Sequence, residues 1–514
     1  MAEQVMIRTQ GTNPLHMVDA FDAAFERFAL QAQLAPREAG VAVLRVTAAV
    51  EETWMYQLLR ALEKRLAASA PSTDEAVVYW RDVDDTRVLS VGAAVVKQVM
   101  GPERFEACRA VVLGTPLLTF DQPAVSPRWF LGAAFAAANR AHPWEAWPDA
   151  QVLLPRWTFE RRADGEGTLT SCFQVDPAAN WTELRETLRA ELTTLVLQGA
   201  AAGVPKGGSD PAVSAREALD AREASAGSVS GGAIDRGHPE GAKQYDGDKH
   251  YMDAVAKTAE EIAQGQYTKA VLARRATTVR PPGLTLDKVL QALTNRYPNT
   301  FVYAFHGPGA WFVGASPERL VRVEAGQVTV DCLAGTVATG ADDAESEALF
   351  AQLFNSRKDR AEHQVVVRSV TETLASVLAE VNVPAEPSLK KLQNVQHLWT
   401  EVRGRVRPGV TALDLAARLH PTPAVAGVPR DVALQVIAAR ESMDRGWYAG
   451  PIGWLTASGD GEFAVALRSA LFKGDAVHLY AGAGIMGDSQ PAAELRETEL
   501  KLQAVRNAIF EEHA

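Results

Sequence analysis

The chain has 514 residues, a formal net charge of −11, 47% hydrophobic residues and 22% charged ones. That length suits two or three ordinary domains or one large one, with enough apolar material for a sizeable core. The acidic balance excludes a bulk basic surface for nucleic acid, so a site for an anionic ligand has to gather its positive charge locally.

In chain order, the opening MAEQVMIRTQGTNP lacks the apolar stretch of a signal peptide. Periodicity predicts helices over Met17–Leu34 and Glu51–Ala70, and strands over Ala76–Trp80, Trp129–Phe135 and Gln151–Leu154. From Gly203 to Gly247 the chain is rich in Gly, Ser, Ala, Asp and Pro and too poor in large apolar residues to offset its ordering entropy. A flexible linker or surface insertion is expected over 203–247, with a short helix over Ala215–Ala224. It separates an N-terminal part, 1–202, from a region 248–514 of denser patterning. There the pattern predicts a helix over Tyr251–Gln264 and a strand over Ala270–Ala273. Strand pairs follow, Phe301–Phe305 with Trp311–Ala315 and Leu320–Val323 with Gln327–Cys332. Helices are expected over Asp342–Val381, with a break, and over Pro491–Phe510. A hairpin of Glu462–Phe472 with Ala476–Gly482 closes at Lys473-Gly-Asp. Strands and helices do not alternate in βαβ fashion, so the expected class is α+β with antiparallel sheets. There is no internal repeat at 20–50 residues. No run of about 18 apolar residues is present, so no membrane span is expected. The three cysteines, Cys108, Cys172 and Cys332, match no metal-ligand spacing and read as buried core residues of a reducing compartment, the cytoplasm.

Several residues carry chemistry. Asp359 and Glu362 are three apart, as are Glu494 and Glu497, and on helices each pair shares a face. Two such faces opposed would offer oxygen ligands to a hard cation; the plainer reading is a solvated acidic surface. Lys501 follows Glu497 by four and shares its face. Arg468 lies in the apolar run FAVALRSALF, beside Leu467, and there demands an anionic partner, either a substrate carboxylate or an internal ion pair. Ala481-Gly-Ala-Gly-Ile485 and Leu333-Ala-Gly-Thr336 read as glycine turns after strands, where backbone N–H groups approach a ligand, or as tight turns and bulges without one. Lys269 opens the strand AVLARR and is either solvent-exposed or a general base. Glu318, in the turn GASPERL, serves as a general acid only if it holds a proton.

Taken together, the ordered segments TKAVLARR, GASPERL, LAGT, KDRAEHQ, NVQHL, HPTPAVAGVP, RGWYAGPIGW, FAVALRSA, AGAGI and ELRETELKLQA resemble the chorismate-binding family. That family comprises isochorismate, salicylate, anthranilate and aminodeoxychorismate synthases. The resemblance runs from about Lys249 to the C-terminus and is looser before it, through WFLGAAF and LLPRW. It implies a large fold of antiparallel sheets packed as a sandwich and surrounded by helices, with Mg²⁺ as cofactor and chorismate as substrate. It implies no nucleic-acid, membrane or obligatory protein partner. Glu362 and Glu497 then resemble the principal Mg²⁺ ligands, with Asp359 and Glu494 as outer partners. Leu467, Arg468, Lys501, Tyr448 and the backbone at Gly482 and Gly484 resemble the substrate grip, and Gly335 and Thr336 the pocket wall. His397 resembles the histidine near the ring.

Members that use water carry a lysine where this chain has Lys269, and Glu318 resembles the acid that protonates the leaving hydroxyl. Ala424 stands where anthranilate and salicylate synthases more often have threonine. These residues imply an isochorismate synthase, feeding menaquinone or siderophore synthesis. A salicylate synthase is the alternative, an ammonia-using synthase comes third, and a non-catalytic chorismate-binding protein is the reading from another class. Met486 and Trp399-Thr400 depart from the usual pattern, and the 203–247 segment is long for the family.

Overall fold

The computed structural model describes residues 14–34, 39–69, 72, 75–119, 126–137, 140–176, 179–201, 246–340, 342–391 and 395–510. For Thr336 and Glu362 it describes the backbone and not the side chain. The expected linker and the helix over 215–224 lie outside these residues, apart from the last two linker positions.

Alternation sets the architecture. In the strand Val77–Arg81, Val78 and Trp80 join one hydrophobic cluster, while Val77 and Tyr79 join another. The neighbouring strand Phe301–Gly307 divides in the same way, with Phe301, Tyr303 and Phe305 on one side and Val302 and Ala304 on the other. The strands form one 20-stranded sheet, antiparallel in every pairing among the described residues except Gly40–Thr47 with Leu117–Leu118.

The sheet has two halves. In hydrogen-bonded order the first runs Ser388–Lys391, Val395–Val406, Gln327–Ala338, Arg319–Glu324, Gly461–Val465, Pro451–Leu455, Trp129–Ala133 and Ala150–Arg161. The second runs Arg87–Val99, Val77–Arg81, Phe301–Gly307, Ala310–Ser316, Ser469–Lys473, Ala476–Ile485 and Lys269–Val279. Arg87–Val99 pairs with Ala150–Arg161 and joins the halves. Strands before residue 202 thus pair directly with strands after residue 246.

The first hydrophobic cluster draws on both halves, among others Trp129, Val321, Val330 and Phe463 from one and Trp80, Tyr303 and Phe312 from the other. It is the interior of a sandwich, as the α+β expectation required. The second cluster lies under the helices His16–Leu34, Glu52–Ala68, Trp181–Ala201, Leu286–Arg296 and Pro491–Phe510.

The chain crosses between halves at two neighbouring corners. Ala310–Ser316 passes into Arg319–Glu324 through Pro317-Glu318. Gly461–Val465 passes into Ser469–Lys473 through Ala466-Leu467-Arg468. The corners hold each other: Val465 N–H donates to Glu318 O (3.0 Å), Ala315 N–H to Arg468 O (3.1 Å), and Ser316 Oγ to Val465 O (2.5 Å).

Three expectations are corrected. The helix expected over Asp342–Val381 has its expected break, giving Asp343–Asn355 and Arg357–Leu374, but ends early, and Val381 belongs to the strand Leu378–Asn382. Ser356 stops the first helix and caps the second by accepting from Asp359 N–H. The strand expected over Glu462–Phe472 breaks at the second corner, which carries Arg468 out of a strand and into the left-handed region at φ 49°. Ala481–Ile485 is no turn; it completes the strand Ala476–Ile485.

Candidate active site

Lys269 begins a strand held on both edges. On one side Ile485, Gly484 and Gly482 stand opposite Ala270, Val271 and Ala273. On the other Val428 pairs with Lys269 itself, and Val271 N–H donates to Ala426 O (2.8 Å). The lysine side chain lies over Gly484, where an added methyl would sit 2.9 Å from Cε and 3.4 Å from Nζ. The glycine is there to leave room, not to turn the chain. Gly482 makes room likewise, with Tyr448 Oη 3.3 Å and Leu272 O 3.1 Å from its methyl position. Gly482 O accepts from Lys501 Nζ (2.9 Å), and Lys501 also pairs with Glu497 (2.7 Å). The helix Pro491–Phe510 is thereby tied to the glycine strand.

Glu318 stands on the first corner. Its side chain is half-buried. Burial pushes its carboxyl up to about 7. Asp331 adds to the rise, while Lys390, Lys269 and Lys501 oppose it. A carboxyl poised there holds a proton at neutral pH and can release it. Arg468 stands on the second corner. Its left-handed backbone is unusual for a bulky residue and is kept in place by Ala315 N–H; Tyr303 Oη donates to Leu467 O (3.2 Å). Burial lowers the guanidinium from its usual value, with Tyr297, Tyr448 and Glu497 opposing. Among the described residues no carboxylate or carbonyl accepts a hydrogen bond from its guanidinium. Tyr448 stacks on Tyr480 (5.4 Å between ring centres), and burial pushes its hydroxyl up to about 12. Of the four left-handed non-glycine residues described, Arg468 and Ala449 flank this site.

Gly335 sits at φ 74° in a bulge that lets Thr336 face His397 in register. A methyl on Gly335 would lie 3.3 Å from Asp359 Cβ, so the helix Arg357–Leu374 abuts the bulge. His363 bonds Thr400 Oγ1 (2.7 Å) and ties that helix to the strand of His397. Burial, helped by Arg468, Lys501 and Lys390, lowers His397 to about 4, so its ring is neutral at physiological pH. Ala424 is half-buried in the turn before Gly427–Val428, the short strand that grips Lys269.

The carboxylates are partly assembled. Glu494 accepts from Ser489 Oγ (2.7 Å), and its carboxyl is raised by burial and by Glu497. Tyr251 is raised by burial and then by Glu494 and Glu497. Among the described residues no three His, Cys, Asp or Glu side chains gather as a ligand group. The side chain of Glu362 lies outside what is described. An all-oxygen donor set with Glu494 and Glu497 close together suits a hard cation, which needs only one or two protein carboxylates.

Two groups escaped the sequence reading. Arg445 is buried and donates to Glu441 through Nε (2.9 Å) and Nη2 (2.5 Å), to Val425 O (2.9 Å) and to Val271 O (2.8 Å). Glu441 also accepts from Ala273 N–H (2.7 Å). One ion pair thus clamps the lysine strand, the Ala424 turn and the approach to Tyr448. Its four-residue spacing was visible, but the pair lies past the end of the helix Arg430–Arg440, where helical spacing carries no signal. The other group, Lys390 with Asp331 (2.7 Å), becomes neighbouring only through strand register. A cavity of about 230 Å³, walled in part by Tyr251, Ala273, Arg440 and Glu441, contains none of the predicted site residues.

Comparison with known proteins places this geometry. The family described as chorismate binding enzyme matches residues 49–510. The chain belongs to that family. The salicylate biosynthesis isochorismate synthase of Pseudomonas aeruginosa is 45% identical over 256 residues, 50% of this chain and 53% of that protein. An isochorismate synthase of Bacillus subtilis is 38% identical over 268 residues, 52% of this chain and 57% of that protein. The chain therefore spans a little over half the length of these two relatives. The menaquinone-specific isochorismate synthase of Escherichia coli has the same fold, with a TM-score of 0.70 at 22% identity, covering 95% of this chain and 100% of that one. No helix among the described residues is long and apolar enough to cross a membrane.

Proposed function

We propose that the protein is an isochorismate synthase. It converts chorismate reversibly to isochorismate by adding water at C2 while the C4 hydroxyl departs. What carries the reading is that Lys269 lies over Gly484 on the strand whose Gly482 carbonyl holds Lys501, and that the same two lysines act on the carboxyl of Glu318, so a candidate base and a candidate acid share one site.

In this mechanism Lys269, as the neutral amine, takes a proton from the attacking water as its oxygen bonds to C2. Both ring double bonds shift, C1=C2 to C1=C6 and C5=C6 to C4=C5, the C4–O bond breaks, and Glu318 gives its proton to the departing oxygen, which leaves as water. One water enters and one leaves, so the step is an isomerisation. Afterwards Lys269 carries a proton and Glu318 lacks one, and exchange with solvent resets both. Arg468 and Tyr448 hold a substrate carboxylate, while Leu467, Gly335 and Thr336 wall the ring. His397, neutral, contributes hydrogen bonding beside it. Glu362 and Glu497, with Asp359 and Glu494 behind them, would hold Mg²⁺. When bound it offsets negative charge on a substrate carboxylate.

The test is to incubate the protein with chorismate and Mg²⁺ and separate the products by chromatography. Isochorismate approaching an equilibrium mixture, and lost with a chelator, is the expected result. Salicylate with pyruvate would move the assignment to a salicylate synthase and show that Ala424 does not discriminate. Turnover only with ammonia would overturn Lys269 as base.

A further inference from the structure

Lys390 carries a cation into the neighbourhood of Glu318 without a part in the chemistry so far. It is fixed from several sides. In the sheet it stands directly opposite His397. Its Nζ lies 2.7 Å from one oxygen of Asp331, whose other oxygen accepts from Trp399 Nε1 (3.0 Å), and its ammonium lies 5.5 Å over the Trp399 ring. Asp331 is almost fully buried and also faces Arg319 (3.9 Å), the residue after Glu318. Arg319 in turn donates to the buried Glu462 (2.8 Å). Arg319, the chain neighbour of Glu318, is therefore anchored in an alternating row of charges, Glu462, Arg319, Asp331 and Lys390, in which each faces the next.

Around Glu318 the groups from other elements are Lys390 on one edge strand, Asp331 and Cys332 on the next, Lys269 on the lysine strand, Lys501 on the last helix, and Tyr448. Lys269 and Lys501 already have roles. Among the described residues no hydrogen bond or ion pair joins Lys390 or Asp331 to the proposed metal ligands or to the substrate grip.

We propose that the Lys390–Asp331 ion pair is a positioning element for Glu318: it fixes the field in which the acid holds and releases its proton, and so sets the pH range of turnover. This rests on the reading of Glu318 as the acid. The two members act in opposite senses. Removing the Lys390 charge leaves Asp331 uncompensated beside the acid and makes ionised Glu318 harder to form. Removing the Asp331 charge makes it easier.

The experiment is the pH profile of kcat/KM with chorismate and saturating Mg²⁺ for Lys390→Met, Asp331→Asn, the double variant and Glu318→Gln. The alkaline limb is expected to move up by about one pH unit in Lys390→Met, down by about one unit in Asp331→Asn, and back toward the wild type in the double variant. Lys390 is partly exposed, and in Lys390→Met the carboxylate of Asp331 keeps Trp399 Nε1 and Arg319, so that arm stands even if Asp331→Asn misfolds. A pair that merely supports the fold would lower turnover or thermal stability in both variants and leave the limb in place. That result, with turnover lost in Glu318→Gln, overturns the pairing proposal alone. A wild-type limb in Glu318→Gln would instead overturn the acid assignment on which it rests.

Discussion

Replacing Gly484 by alanine separates the fold from the chemistry. The new methyl would meet one neighbour, the Lys269 side chain, at 2.9 Å from Cε and 3.4 Å from Nζ, with nothing else within 4 Å. Gly484 is not left-handed, so alanine fits its backbone. Carbon atoms in ordinary contact lie about 3.5–4.0 Å apart, so the lysine stem must move by roughly 0.6–1 Å. A flexible aminobutyl chain yields cheaply, and the effect on stability is expected to stay within about 1 kcal/mol. The catalytic effect is larger, because a displacement of about 1 Å in a reacting group costs on the order of 10²-fold in rate, equivalent to about 2.7 kcal/mol of barrier. Thermal melts should therefore nearly coincide with the wild type, chorismate binding should persist, and kcat should fall about 100-fold. A kcat within twofold of wild type would refute the placement of Lys269 over Gly484 as the working geometry. Gly482→Ala provides the contrast. Its methyl meets the Leu272 carbonyl at 3.1 Å as well as the Tyr448 hydroxyl, so it should lower stability and raise KM together.

Glu318→Gln should abolish turnover yet stabilise the protein in alkaline buffer. The folded carboxyl is raised from 4.5 to about 7, so the folded state binds its proton more tightly and wild-type stability falls as pH rises through that window. Glutamine escapes the loss, a gain of about 2–3 kcal/mol at pH 8 that disappears near pH 4; urea unfolding at both pH values measures it. Lys269→Met should retain chorismate binding, measured by calorimetry, and lose hydration by at least about 100-fold; unchanged turnover would remove Lys269 as base. Glu497→Ala should weaken the Mg²⁺ dependence of turnover, read as a higher metal concentration for half-maximal rate. Arg445→Met strands Glu441 in the interior and should cost about 3–5 kcal/mol in denaturant unfolding; a loss below 1 kcal/mol would show that the clamp is not tight.

Local chemistry was legible where it rests on residue type and short spacing. Lys269 at a strand start and the helix Pro491–Phe510 with its carboxylates follow from a few consecutive residues, whereas Gly482 and Gly484, read as a turn, make room within a strand. Arg468 shows where that reasoning stops. Alternation through FAVALRSALF describes an unbroken strand, but the two halves of the sheet have to be joined, and the corner falls at Ala466–Arg468. Nothing within the ten residues encodes that demand. Over Asp342–Val381 the break was expected and Ser356 supplies it, but the helix was carried too far, because Leu378–Asn382 is recruited as a strand by Val395–Val406. Lys390 was invisible for a third. Its partner Asp331 is 59 residues away, and the two meet only after three strands have aligned.

The two corners account for how the site combines fixed and adjustable parts. The acid stands on one corner and the carboxylate grip on the other, and three hydrogen bonds run between them: Glu318 O with Val465 N–H, Arg468 O with Ala315 N–H, and Val465 O with Ser316 Oγ. Because strands enter each corner from opposite halves, the distance between acid and grip is set by the closure of the sandwich and changes only if the halves separate. The lysine strand is locked to the same frame by Gly427–Val428 on one edge and by Arg445 through Val271 O. The carboxylate helices are held more lightly at the site. Lys501 reaches Gly482 O from one, and His363 reaches Thr400 from the other. Acid, base and Arg468 thus belong to the sheet frame, while the groups proposed to bind metal, and Lys501 of the grip, are carried on helices. That arrangement suits ligands that must close around a cation and a substrate arriving together.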